Sequence, residues 1–171
     1  MTDTRGGYPT GIVVDDSACD PHDLSPCGGV AVTVVGDVVW DVLVGAAVRS
    51  GWPGLEALAG VGRTVSEVIR TNPASHGQTV SDVVATVRTW DRRLDAQRTF
   101  PWSDCDFTPG GSRFAELLPD GSQRYEILDA SLLFKQGDLT APVTDPALVR
   151  SLGIAPGDRV PLAAVHDVVA D

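Results

Sequence analysis

A run of β-branched residues that turns directly into a helical repeat constrains this chain of 171 residues more than any other feature. Val30–Val35 reads Val-Ala-Val-Thr-Val-Val, and Gly36-Asp37 supplies a turn. Val39–Ser50 then places apolar residues at helical spacing. The run is too short and too branched for a helix and predicts a buried strand. The helix after it must stop at Gly51, because glycine takes the left-handed backbone of a helix end at little cost, and Pro53 follows. A strand, a tight turn and a helix in succession require a sheet with a helix packed on it.

The rest of the chain extends this pattern. Residues 1–10 are polar and glycine-rich and predict a disordered start. Gly11–Asp15 predicts a short strand, and residues 16–28 a loop. Thr64-Val65-Ser66-Glu67 fits a capping box that opens a helix ending near Arg70 or Thr71. Asp82–Trp90, Gln97–Phe100 and Glu126–Phe134 predict strands, with a turn at Arg92–Ala96 between the first two. Asp145-Pro146 forms an N-cap and N1 pair for a helix stopping at Gly153, and Pro161–Val169 predicts a terminal helix. The expected fold is α+β: one domain over residues 11–171, a mostly antiparallel sheet with a few packed helices.

Composition narrows the partners. The net charge of −10 argues against a nucleic-acid surface and against an anionic membrane surface. No charged stretch precedes an apolar leader, and no apolar run reaches membrane-spanning length, so a cytoplasmic protein is expected. Cys19, Cys27 and Cys105 are then expected as reduced thiols. Cys19, His22 and Cys27 fit no common zinc spacing, so no metal is expected.

Residues 54–80 read GLEALAGVGRTVSEVIRTNPASHGQTV. This segment resembles the flavin-dependent UDP-N-acetylenolpyruvoylglucosamine reductases, whose generic form runs G-L-E-x-L-x-G-I-P-G-T-V-G-x-x-P-x-x-N-x-G-A-Y-G-x-E-V. Without a gap the chain keeps Gly54, Leu55, Glu56, Leu58, Gly60, Thr64, Val65, Asn72, Gly77 and Val80. It departs where the family brings backbone close to flavin: the P-G pair is Gly62-Arg63, the next glycine is Ser66, and G-A-Y is Ala74-Ser75-His76. Residues 105–114, CDFTPGGSRF, resemble the family's C-x-F-x-Y-R-x-S-x-F, with its Tyr-Arg pair replaced by Pro109-Gly110. Looser likeness covers roughly residues 10–170. The resemblance implies the middle domain of the reductase fold. It also implies that the family's phosphate loop and its serine-bearing domain are missing, so no cofactor is expected.

The candidate site follows from these departures. His76, in a loop that faces flavin and substrate in the family, is a candidate general acid or base; the alternative is a surface histidine. Arg63 either plugs the vacated site or grips an anionic substrate. Trp52, Gly62, Thr64, Asn72, Ser75, Gly110 and Ser112 are expected to line the pocket. Glu67 reads as the capping-box partner, Trp40 as core, and Asp104 and Asp106 as one face of a strand-like segment. Three functions remain open. One is a flavin-free enzyme acting on an apolar small molecule, of which a [4+2] cyclase in specialised-metabolite biosynthesis is the example. The others are a non-catalytic partner of a separate chain and a small flavin oxidoreductase. A homodimer is expected to cover apolar surface.

Overall fold

The computed structural model describes residues 7–17 and 29–171. The Cys19–His22–Cys27 reading, most of the 16–28 loop and residues 1–6 lie outside the described residues. Among the described residues there are seven strands and four α-helices: β1 Ile12–Asp15, β2 Val30–Val35, α1 Trp40–Arg49, α2 Val65–Thr71, β3 Ala74–Ser75, β4 Gln78–Thr79, β5 Val84–Asp91, β6 Ala96–Pro101, β7 Tyr125–Phe134, α3 Pro146–Leu152 and α4 Leu162–Ala170. β1, β2, β7, β5 and β6 form one fully antiparallel sheet in that order, and β3 pairs with β4 in a separate hairpin. The α+β reading therefore holds.

The sheet has one covered face. Val30, Val32 and Val34 of β2 are fully buried, while Thr33 and Val35 point outward. The strand is thus buried on one face, because helices cover one side only. Trp40, Leu43, Val44 and Ala47 recur at i, i+3, i+4 and i+7 and press α1 onto that side. The helix ends as glycine dictates: Gly51 has φ +70°, Trp52 N–H donates to Ala47 O at 2.9 Å, and Gly51 N–H to Val48 O at 3.3 Å. Trp40 is core, as expected, and its indole N–H donates to Leu58 O at 2.9 Å.

α2 opens on the expected capping box, with Thr64 N–H donating to Glu67 Oε2 at 2.8 Å and Glu67 N–H returning to Thr64 Oγ1. The Thr64 N–H and hydroxyl hold the Glu67 carboxyl below its ordinary range. Asn72 closes the helix in the left-handed conformation, φ 39°, which asparagine tolerates better than most residues. α3 and α4 form a smaller cluster, with Leu148 and Val165 packed on Ala57. Ala57 belongs to a 3-10 turn at Glu56–Leu58.

Two expectations are corrected. Residues 7–10 are part of the folded unit, since the Tyr8 ring stacks on Trp52 at 5.5 Å. Asp104 and Asp106 do not share a strand face. Trp102–Asp104 is a 3-10 turn, and Asp106, φ 48°, leaves it toward Arg113. Trp102 itself is exposed, with its indole N–H donating to Ser81 O at 2.9 Å.

Candidate functional site

The structure distributes the expected site residues over four places. Gly62, Arg63 and Thr64 precede α2. Asn72, Gly110 and Ser112 belong to its far end. Trp52 is core, 3% exposed and stacked between Tyr8 and Phe134. Ser75 and His76 lie on the β3–β4 hairpin.

The turn before α2 bears directly on flavin. A loop that holds a pyrophosphate needs free backbone N–H groups pointing at it. Here Gly60 and Gly62 donate to the two carboxylate oxygens of Asp41 at 2.8 and 2.9 Å, and Val61 donates to Asp41 Oδ1 at 3.3 Å. Thr64 and Glu67 N–H serve the capping box, Val65 N–H donates to Val38 O, and Ser66 N–H to Gly36 O. From Gly60 to Glu67 that commits every backbone donor except Arg63 N–H. The Arg63 side chain is exposed and Ser66 Oγ contacts Thr64 Oγ1 at 3.1 Å. As folded, the turn already binds an anion of its own, and its residues do not fit a flavin diphosphate.

At the other end of α2, the Asn72 amide donates to Thr108 O at 3.0 Å and accepts from Ser81 N–H at 3.2 Å. Ser112 Oγ donates to Arg70 O at 3.1 Å. Both polar groups are spent on holding the 105–114 segment against α2. Gly110 is exposed, in a turn closed by Thr108 and Gly111.

Two adjoining hollows lie elsewhere, where the 3-10 turn, the β3–β4 hairpin and the segment after β7 meet. The larger, about 410 Å³, is bounded by Glu56, Gln78, Lys135, Asp138, Thr140 and Arg159 among others. The smaller, about 140 Å³, is bounded by Glu56, His76, Gln78, Thr140, Leu148 and Val165 among others. Both combine polar and apolar lining residues. Glu56 stands at the floor of both. It is 1% exposed, accepting Gly54 N–H at 2.7 Å and the Gln78 amide at 2.9 Å. Gln78 in turn accepts Ala57 N–H at 2.9 Å, so the three groups form a closed circuit.

His76 is brought to this place by its hairpin. His76 and Gly77 connect β3 to β4 with φ 49° and 86°, the left-handed pair of a two-residue turn. His76 Nδ1 lies 2.9 Å from Asp145 Oδ1. An ionised carboxylate only accepts, so Nδ1 is the donor, and in the neutral imidazole Nε2 carries the lone pair. Asp145 also caps α3, accepting Ala147 and Leu148 N–H at 3.0 Å each. The Leu148 N–H and the imidazole hold the Asp145 carboxyl below its ordinary range, which keeps it an acceptor.

Arg63 and His76 flank α2 at opposite ends, so they do not form one site. Glu56, Gln78, Lys135, Thr140 and Arg159 were missed by sequence reasoning. A glutamate inside the apolar run Leu55-Glu56-Ala57-Leu58 was the available signal, since a charge there is buried only if paired. Among the described residues no group of three His, Cys, Asp or Glu could hold a metal, and no helix is long and apolar enough to cross a membrane.

No family model matches the chain. It is 40% identical over 147 residues to a UDP-N-acetylenolpyruvoylglucosamine reductase of Cutibacterium acnes, covering 86% of this chain and 38% of that protein. It is 34% identical over 140 residues to the corresponding reductase of Thermobifida fusca, covering 82% of this chain and 38% of that one. The chain thus spans well under half the length of these relatives. A solved reductase of the same name from Thermus caldophilus superposes with a TM-score of 0.54 at 18% identity, over 81% of this chain and 40% of that one. That likeness concerns the fold alone.

Proposed function

Because the chain is a relative of the UDP-N-acetylenolpyruvoylglucosamine reductases over the part of them that it spans, we propose that it works without flavin, holding a small molecule in the cleft around Glu56. The observation that carries this reading is the donor accounting before α2: the carboxylate of Asp41 takes the three N–H groups of Gly60–Gly62. Redox chemistry on flavin needs a cradle that this turn does not offer. The hollows offer polar anchors and an oriented imidazole instead. A reaction that moves protons but no electron pairs to a cofactor fits them, with His76 Nε2 giving or taking the proton and Asp145 holding the ring. A [4+2] ring closure, which transfers no proton and needs no cofactor either, is a separate option in which the cleft only holds the substrate in its reactive fold, and the polar lining calls for a substrate with polar groups of its own.

The test is an absorbance scan of purified protein across the flavin bands, about 350–500 nm, before and after incubation with FAD and desalting. A flat spectrum both times is the expected result. Retained flavin bands overturn the proposal and return the chain to redox chemistry.

A second reading has its own observation. The outward face of β1, β2 and β7 carries Val13, Val35 and Leu133 at 61, 41 and 52% exposure. Apolar side chains grouped on an open sheet face suit a protein partner, either a separate chain or a second copy. Light scattering of the purified protein separates these from a monomer that leaves the face open.

A further inference from the structure

We infer that the larger hollow takes a zwitterionic small molecule of the amino-acid or dipeptide type, its carboxylate toward Lys135 and Arg159 and its ammonium toward Asp138 and Glu56. This rests on the proposed small-molecule cleft and names the chemistry of its ligand.

Four charges, two of each sign, bound one hollow of about 410 Å³. Lys135, Asp138 and Arg159 are exposed and form no ion pair, with one another or with any other described residue. On the sheet the opposite holds: Arg88, Arg92, Arg98 and Arg124 all meet carboxylates. Charges around the cleft are thus left available where charges on the sheet are satisfied. Glu56 fixes the order of signs. Its carboxylate is enclosed and already fed by Gly54 N–H and the Gln78 amide, so negative charge is built into the floor. A donor group on the ligand is favoured there and an anionic group is repelled. The anionic end is left to the two cations.

Net charge selects between ligand classes. A chain at −10 repels a net anion as it approaches. A zwitterion meets no such barrier and still satisfies both signs at close range. The volume lies within the range of small-molecule sites and accommodates an amino acid or a dipeptide.

The test is a titration of the 15N-labelled protein with glycylglycine, acetate and methylammonium, followed by backbone amide shifts. Glycylglycine is expected to move the amides of Gly54, Gln78 and Gly137, with at least about tenfold tighter binding than either single-charge probe. Lys135→Gln and Arg159→Gln, both exposed positions, are each expected to weaken it about fivefold with the spectrum of the free protein otherwise unchanged. Arg150→Gln, an exposed cation outside both hollows, is expected to leave glycylglycine binding unaltered. Equal binding of acetate and glycylglycine overturns the zwitterion and leaves the cleft standing as an anion site. Absence of shifts at the cleft with all three probes overturns the cleft itself.

Discussion

Gln78 donates its amide to Glu56 Oε1 at 2.9 Å, and that one bond ties the β3–β4 hairpin to the turn beneath the cleft. The same side chain accepts Ala57 N–H, so removing it strands a buried carboxylate oxygen and a backbone donor together. Gln78→Ala should therefore cost about 2 kcal/mol, more than its partly exposed position alone suggests. Gln78→Glu should cost more still, since it faces one carboxylate with another. Urea unfolding of the three proteins checks both. A loss for Gln78→Ala below about 0.5 kcal/mol would mean that Glu56 finds another partner.

Asp41 stands in the same relation to the turn before α2. Its carboxylate serves three backbone donors, those of Gly60, Val61 and Gly62. Asp41→Ala leaves them to solvent and should lower stability by about 1–3 kcal/mol. Asp41→Asn keeps one oxygen acceptor and should fall between. Thermal unfolding distinguishes the order. If Asp41→Ala melts with the wild type, the turn is held by its neighbours and the donor accounting loses its force.

Local signals in the sequence proved sufficient for the strands of the main sheet and the four helices, and insufficient for the β3–β4 hairpin and the cleft. Gly51 announces the end of α1 because a left-handed residue is needed there, and Thr64 with Glu67 announces the start of α2 because the capping bonds span three residues. Such bonds are written within one turn of chain. The hairpin at His76-Gly77 escaped because asparagine or aspartate, rather than histidine, marks that turn most strongly. The cleft draws Glu56, Gln78, Lys135 and Arg159 from four separate stretches. No periodicity links them; only the return of the 135–141 segment along the 3-10 turn does. The likeness to flavin reductases drew attention to Arg63 and Asn72. It gave no indication that the first faces solvent and that the second spends its amide on Thr108 and Ser81.

The acid limb of stability should depend most on Asp91, with Asp145 and the capping-box Glu67 contributing in the same direction. Asp91 is fully enclosed and receives Arg124 at 3.0 and 2.8 Å; that guanidinium holds its carboxyl below the ordinary range. Asp145 is held low by Leu148 N–H and then by His76. A folded pKa below the unfolded one stabilises above the unfolded value, about 4, and the gain disappears as pH falls through the folded value. Stability should thus be flat near neutrality and fall steeply below about pH 4. Asp91→Asn should cost about 3 kcal/mol at neutral pH, because it removes the enclosed carboxylate from Arg124 and leaves that guanidinium only the more exposed Glu116, and should flatten the acid limb. Arg92→Ala, which breaks the exposed pair with Glu126 at 3.2 Å, should change stability by less than about 0.5 kcal/mol. Denaturation series at several pH values check all three. An Asp91→Asn variant whose acid limb matches the wild type would place the titration elsewhere.

Cys105 offers a check on the packing of the 105–114 segment, which the Asn72 and Ser112 bonds hold against α2. Its thiol is completely buried, 3.4 Å from Pro101 O, and burial pushes its pKa up to about 12. At about pH 8 only about one molecule in ten thousand then carries the thiolate, which is the reactive species. Alkylation of Cys105 by iodoacetamide should therefore be negligible in the folded protein and rapid in urea, as read by mass spectrometry of the peptide that contains it. Asn72→Ala removes the bond to Thr108 and the acceptor for Ser81 N–H, loosening the segment from α2. It should raise the native labelling rate of Cys105 by exposing the thiol in brief openings. Labelling of the wild type at the unfolded rate would show that the segment does not stay docked. Unchanged protection in Asn72→Ala would show that Ser112 and the core contacts of Phe114 hold it alone.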